Sequence, residues 1–163
     1  MVDDTLLTRR AWLGRAAAAI GGGLAAAALL SNTSAALPKP VSVTVYKDPM
    51  CGCCTKWVDH LRANGYATQV HDRSDMDALK DSLGVPKGLR SCHTAVVGRY
   101  VVEGHVPAAD VKRLLASAPT TVIGLAVPDM PVGSPGMEMG ERVDRYEVIA
   151  FGAKGKTHVF ARH

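Results

Sequence analysis

Three cysteines crowd into four positions, Cys51-Gly52-Cys53-Cys54, where a strand-like segment gives way to a helix-like one. Before them, Val41-Ser42-Val43-Thr44-Val45-Tyr46 alternates with period two and is rich in branched residues, which predicts a strand broken at Lys47-Asp48-Pro49-Met50. After them, Cys54, Trp57, Val58 and Leu61 recur at three-and-four spacing, one face of a helix ending near Asn64-Gly65. A strand that runs into a cysteine at a helix start sets that sulfur against free backbone N–H groups and the positive end of the helix dipole. Cys51 is therefore expected to be the most acidic of the thiols, and Cys54, on the apolar face, the more buried. The chain has four cysteines, the fourth being Cys92. In an oxidising compartment the default is a structural disulfide. Disulfide frameworks, however, spread their cysteines to staple distant segments, and adjacent Cys53 and Cys54 do not readily pair. Crowded thiols suit a metal or a redox exchange.

The remaining pattern is legible in outline. A short strand is predicted around Ala67 to Val70, and a helix over Asp75 to Leu83, capped by Ser74 or Asp75 and closed by Gly84. Thr94 to Val97 and Tyr100 to Glu103, turning at Gly98-Arg99, form a hairpin. Pro107 then opens a helix through Val111, Leu114 and Leu115 that Pro119 ends. The order β-α-β-α-β-β-α is that of a thioredoxin-like α/β fold. Beyond Thr121 the texture changes. Residues 127–140 hold three prolines, three glycines and three methionines and are expected to be an irregular loop. Tyr146 to Phe151 and Thr157 to Phe160 are expected to form a C-terminal β-hairpin.

The first 36 residues look like an address. Thr8-Arg9-Arg10-Ala11-Trp12-Leu13 is a twin-arginine pair followed by hydrophobes, Ala16 to Leu30 is uncharged, and Ser34-Ala35-Ala36 supplies small residues for cleavage. The run is too short and too small in side chains for a convincing membrane span. We expect export by the twin-arginine route to the periplasm, with cleavage near Ala36, leaving residues 37–163 as one domain. The bland alternative is an anchor helix that is never cut. Setting aside Arg9, Arg10, Arg15, Asp3 and Asp4 from the chain's 19 basic and 15 acidic residues leaves 16 and 13, without a basic run. That argues against a nucleic-acid partner, whose footprint is a basic stripe.

Two segments resemble thioredoxin. Cys51-Gly52-Cys53-Cys54 looks like its Cys-Gly-Pro-Cys with proline replaced by a third cysteine. Gly88-Leu89-Arg90-Ser91-Cys92-His93-Thr94 looks like the segment leading to its cis-proline, with His93 in the proline's place. The resemblance implies that this loop faces the cysteine cluster, so that four sulfurs and an imidazole converge. Losing the proline removes a substrate-docking feature, while the added Cys and His suit a soft cation. A wider resemblance is to the CopG-like copper-resistance proteins, a family long labelled a domain of unknown function. It rests on Met50 to Cys54 with Trp57, Gly84-Val85-Pro86, Ser91 to Ala95, Glu103 to Ala108, and Gly124 to Pro128 continuing to Gly133-Ser134-Pro135-Gly136-Met137-Glu138. It implies a periplasmic metal-binding protein associated with copper handling.

The candidate metal ligands are then Cys51, Cys54 and Cys92 as a thiolate core for copper(I), with Cys53 extending it to more than one ion, contacting a partner, or covering the site. The bland reading of these cysteines is a disulfide and a spare thiol. His93 is an auxiliary candidate, although its side chain should point away from Cys92 if Thr94 begins a strand. His105 stands at a turn before a helix, where a solvated or capping histidine is the commoner outcome, and is retained on the family resemblance. Met137 is the thioether expected nearest the metal, and Met50 is placed to shield it. His60, His71, His158 and His163 are read as surface residues, and Glu103 and Glu138 have no carboxylate partner at catalytic spacing. Two alternatives stay open. One is a thiol-disulfide oxidoreductase working through Cys51 and Cys54; the other is zinc, which a Cys3His set also satisfies. Partners would be the metal ion and other periplasmic copper-handling proteins.

Overall fold

A computed structural model describes residues 39–163; the export segment and the boundary near Ala36 lie outside the described residues. Seven strands form one sheet in the order β2-β1-β3-β4-β5-β6-β7. β1 (Ser42–Lys47) leads into α1 (Gly52–Ala63), and β2 (Ala67–Asp72) returns parallel to β1. α2 (Met76–Ser82) and a 3-10 turn at Lys87–Leu89 lead to the antiparallel pair β3 (His93–Val97) and β4 (Tyr100–Glu103). α3 (Ala108–Ser117), β5 (Val122–Ala126) and the hairpin β6 (Glu147–Gly152) and β7 (Thr157–Arg162) complete the chain. The element order through α3 is the predicted one, and the terminal hairpin does not stand apart but extends the sheet through β5.

The strand β5 was not anticipated from the sequence. Its five residues, VIGLA, carry a central glycine that normally weakens a strand. Gly124 is needed there: a β-carbon would overlap the Val101 carbonyl and sit 2.6 Å from the Phe151 ring, which lies over the glycine. β4 and β5 can approach because nothing projects between them.

Register decides what each face buries. Val43 pairs with Val97, Val45 with Ala95, Ala95 with Val102, Val102 with Leu125 and Leu125 with Ala150, so one face is continuous and apolar. Against it pack Trp57, Val58 and Leu61 of α1 and Val111 and Leu114 of α3, all essentially inaccessible. The spacing that predicted the α1 helix is thus the spacing of its buried face. The opposite face carries a smaller cluster, Val85, Val101, Ala126 and Phe151. Beside it, on the same face, stands Glu103, covered by α2.

The topology also fixes where loops meet. Lys47 at the end of β1 pairs with His93 at the start of β3, Thr94 pairs with Glu103 at the end of β4, and Glu103 pairs with Ala126 at the end of β5. Segments 48–51, 90–92, 104–107 and 127–140 therefore emerge at one end of the sheet. Cys51, Cys92, His105 and the methionine loop lie on them, with Cys53 and Cys54 in the first turn of α1 directly after the first segment.

Candidate metal centre

Cys51 is the residue that caps the N-terminus of α1, as the strand-to-helix transition predicts, and its N–H is held by the Asp48 carbonyl at 3.0 Å. It is not a free thiolate. Cys51 and Cys54 form a disulfide, their Cα atoms 5.4 Å apart across the first turn of the helix, within the usual range for a bridged pair. Two of the three thiolates expected at the core are therefore oxidised in this form, and Cys54 is fully buried as expected. The free thiols are Cys53 and Cys92. Cys53, whose direction the sequence left open, faces inward: its Sγ is 3.5 Å from Cys51 Sγ and 3.9 Å from Cys92 Sγ.

Cys92 is the centre of the arrangement. Its Sγ lies 3.3 Å from His93 Nδ1 and 3.1 Å from His105 Nε2. Two groups of donor atoms share it: the four cysteines, and Cys92 with His93 and His105, the atoms of each group lying within 4.8 Å of one another. The expectation that His93 points away from Cys92 is overturned. Alternation between faces holds along an extended strand, but the strand begins at His93 and Cys92 sits in the bend before it, which turns its sulfur back toward the imidazole. His105 likewise departs from the solvated role that its turn position suggested. It is wholly buried, edge-on to His93 at 5.0 Å between ring centroids.

The hydrogen bonds prepare these imidazoles as donors. His105 Nδ1 meets the Pro135 carbonyl at 2.8 Å. A carbonyl only accepts, so Nδ1 carries the proton and the lone pair of the neutral ring's Nε2 faces Cys92, the outer-partner arrangement found behind metal-bound histidines. His93 packs against Trp57 at 4.4 Å, and its Nε2 is buried without a hydrogen-bond partner among the described residues. A buried orphan nitrogen is costly, and it is the ring's other nitrogen, Nδ1, that faces the Cys92 sulfur. Burial pushes both histidines below the ordinary imidazole pKa, His93 far below it, with the other imidazole and the Lys80 ammonium adding to the effect on His93. Burial, and then Cys53 beside it, pushes the Cys92 thiol up to about 12. Without metal, Cys92 is therefore a protonated thiol, and ion binding there must release its proton.

Neutral buried imidazoles make stability pH-dependent. The unfolded chain takes up protons near pH 6.5, whereas the folded chain resists them to lower pH. Below that point the unfolded state binds more protons, so stability falls as pH falls, by up to about 1.4 kcal/mol per pH unit for each histidine. Denaturant unfolding of metal-free protein at about pH 7.5 and about pH 5.5 should show the loss. A flat profile would mean that the fold does not hold these rings neutral.

Behind Cys92 lies a set of groups that sequence reasoning missed. Glu103 is wholly inaccessible and Lys80 nearly so. The Lys80 ammonium donates to Glu103 Oε1, to Thr94 Oγ1 at 3.0 Å and to the Ser91 carbonyl at 3.1 Å. Glu103 accepts in addition from Ser91 N–H at 2.7 Å and from the Thr94 hydroxyl at 2.6 Å. The ion pair thus ties both sides of Cys92-His93 to the end of β4, two residues before His105. Its one signal in the sequence is a carboxylate closing the otherwise apolar run Tyr100-Val101-Val102-Glu103.

His60 also departs from a plain surface role. It is half-buried, its Nε2 accepts the Ala108 N–H at 3.1 Å at the start of α3, and burial lowers its pKa. Met50 does not shield the cluster, being 90% exposed.

The 127–140 loop is irregular, as expected, and folds onto α1. Gly136, at φ +86°, packs so closely that a β-carbon would lie 2.8 Å from Trp57 N and 2.9 Å from the Cys53 carbonyl. The contact leaves a cavity of about 360 Å³ that Cys53, Lys56, Met137 and Met139 help to line. Met137 thus reaches the rim of the thiol site. Gly136→Ala should lower stability by about 1–3 kcal/mol, through the left-handed backbone and the clash. It should also speed alkylation of Cys53 by a neutral reagent, and unchanged values for both would show that the loop does not clamp this turn.

Residues 89–137 match the family model described as a protein of unknown function, DUF411. Among solved structures, one named Copper resistance protein copG, Form 2, is 47% identical over 76% of this chain and 98% of that chain, with a TM-score of 0.73. Form 1 of the same protein is 48% identical over the same shares, with a TM-score of 0.72. No match to a curated protein was found.

Proposed function

This chain belongs to the CopG family of copper resistance proteins, and from that premise we propose that it binds copper as Cu(I) in the periplasm through Cys92, Cys53 and the imidazoles of His93 and His105. Cys51 and Cys54 join them when their disulfide is reduced. The observation that carries the reading is the position of Cys92 Sγ, 3.9 Å from a second thiol and within 3.3 Å of two ring nitrogens. Thiolates select Cu(I), and imidazole serves it as well. Four thiols sharing one pocket give room for bridging, so more than one ion is part of the proposal. The ions are cargo, and the chain's role is to hold them in a handling or resistance step. Arg9-Arg10 and the small apolar run after them support an exported location. No described helix is long and apolar enough to cross a membrane.

Anaerobic titration of the reduced protein with Cu(I) against a competing chelator tests this. We expect tight uptake, far below micromolar Kd. Weak uptake, or preferential retention of zinc when both metals are supplied, would overturn it in favour of a zinc site.

The Cys51–Cys54 disulfide favours a second reading, thiol-disulfide exchange with protein substrates. That reading requires insulin reduction by metal-free protein, lost in Cys51→Ser, and absence of turnover would exclude it.

A further inference from the structure

The cavity between the first turn of α1 and the methionine loop has a composition that the binding site itself does not require. Met139 is 65% exposed and Met137 half-buried, and both line the same space as Cys53. A thioether left in water forgoes the gain of burial, and methionine is ordinarily moved to the core as filler. Here the fold does the reverse. Gly136 locks the loop to the Cys53 carbonyl and Trp57 N, the Met137 N–H is held by the Ser134 carbonyl at 2.8 Å, and the Met137 carbonyl accepts from Gly133 N–H at 3.0 Å. These contacts fix the backbone up to Met137, two residues before Met139, and both methionines line the cavity that Cys53 also lines. Lys56 and Glu138 at the same mouth carry opposite charges, so the mouth exerts no strong net pull on a free cation. Selection at this point has to come from ligand softness.

We propose that this cavity is a loading port, in which cargo Cu(I) is taken up on the thioethers of Met139 and Met137 and then passed to Cys53. The proposal rests on the Cu(I)-binding reading above. Thioethers carry no proton and hold Cu(I) weakly, so they exchange ligands readily, whereas a thiol gives up its proton when it binds as a thiolate. In the transfer, a copper–thioether bond breaks, a copper–thiolate bond to Cys53 forms, and the Cys53 proton leaves to solvent. Copper stays Cu(I) and no electron moves. The port thus acts on the rate of loading, and the thiol and imidazole set determines the equilibrium.

The test is stopped-flow loading of the reduced full chain with Cu(I) supplied as its acetonitrile complex, read by the ultraviolet copper–thiolate absorption. It is run beside a chelator competition that gives the equilibrium affinity. Met137→Leu/Met139→Leu conserves volume and apolar character. We expect loading to slow by about tenfold, with affinity held within about threefold. Met139→Leu alone, at an exposed position that cannot disturb the core, should slow loading by a smaller factor. Unchanged loading in both variants would overturn the port and leave the binding site standing. Affinity falling in step with rate would also overturn it, making the thioethers resident ligands. Failure of the unmodified chain to take up Cu(I) would overturn both proposals together.

Discussion

Cys92→Ser is expected to weaken Cu(I) binding by about 100-fold or more, roughly 2.7 kcal/mol, while leaving the fold in place. Cys92 is the one donor common to the sulfur group and the imidazole group. Its loss leaves two separate partial sites in place of one joined site. A serine hydroxyl is a hard, protonated oxygen with little affinity for Cu(I). It can still occupy the space and hydrogen-bond the His105 Nε2 lone pair that Cys92 faces at 3.1 Å. Cys53→Ser should cost less, since Cys92 would keep both imidazoles. Competition titration of the two variants beside a thermal melt checks the order. Equal affinity in Cys92→Ser and the unmodified chain would remove Cys92 from the centre of the account.

The second large effect concerns stability. Glu103→Leu should destabilise the fold by about 3–5 kcal/mol, because it leaves the Lys80 ammonium buried with only the Thr94 hydroxyl and the Ser91 carbonyl to solvate it. The double change Lys80→Met/Glu103→Leu removes both charges and should recover much of that loss, since a buried ion pair often contributes little more than an apolar pair of similar volume. Urea unfolding of the three proteins gives the comparison. A double variant no more stable than the single one would show that the hydrogen bonds to Ser91 and Thr94, rather than the charge pair, hold this face together.

The elements carried by regular periodicity were legible in the sequence. The α1 face, the β3–β4 hairpin and the β6–β7 hairpin follow from side-chain spacing, and the structure places them where spacing put them. The strand β5 was not legible, because Gly124 reads as a break until the approach of Val101 and Phe151 shows why no side chain fits. The site divides in the same way. That Cys51 caps α1 and Cys54 is buried follows from local pattern, but whether they are thiols or a disulfide is a redox state that spacing does not encode. Local rules turn His93 away from Cys92 and leave His105 in solvent, whereas the bend at Cys92 and the packing of the 104–107 turn place both rings beside the Cys92 sulfur, buried. Lys80 and Glu103 are 23 residues apart and on different elements, so only the tertiary fold brings them together.

Copper K-edge absorption spectroscopy of the reduced, Cu(I)-loaded chain tests the central claim most directly, because it reads the atoms bound to copper. We predict a dominant sulfur shell with a weaker imidazole contribution, the sulfur amplitude falling in Cys92→Ser. A first shell of nitrogen and oxygen alone, unchanged by that substitution, would contradict it.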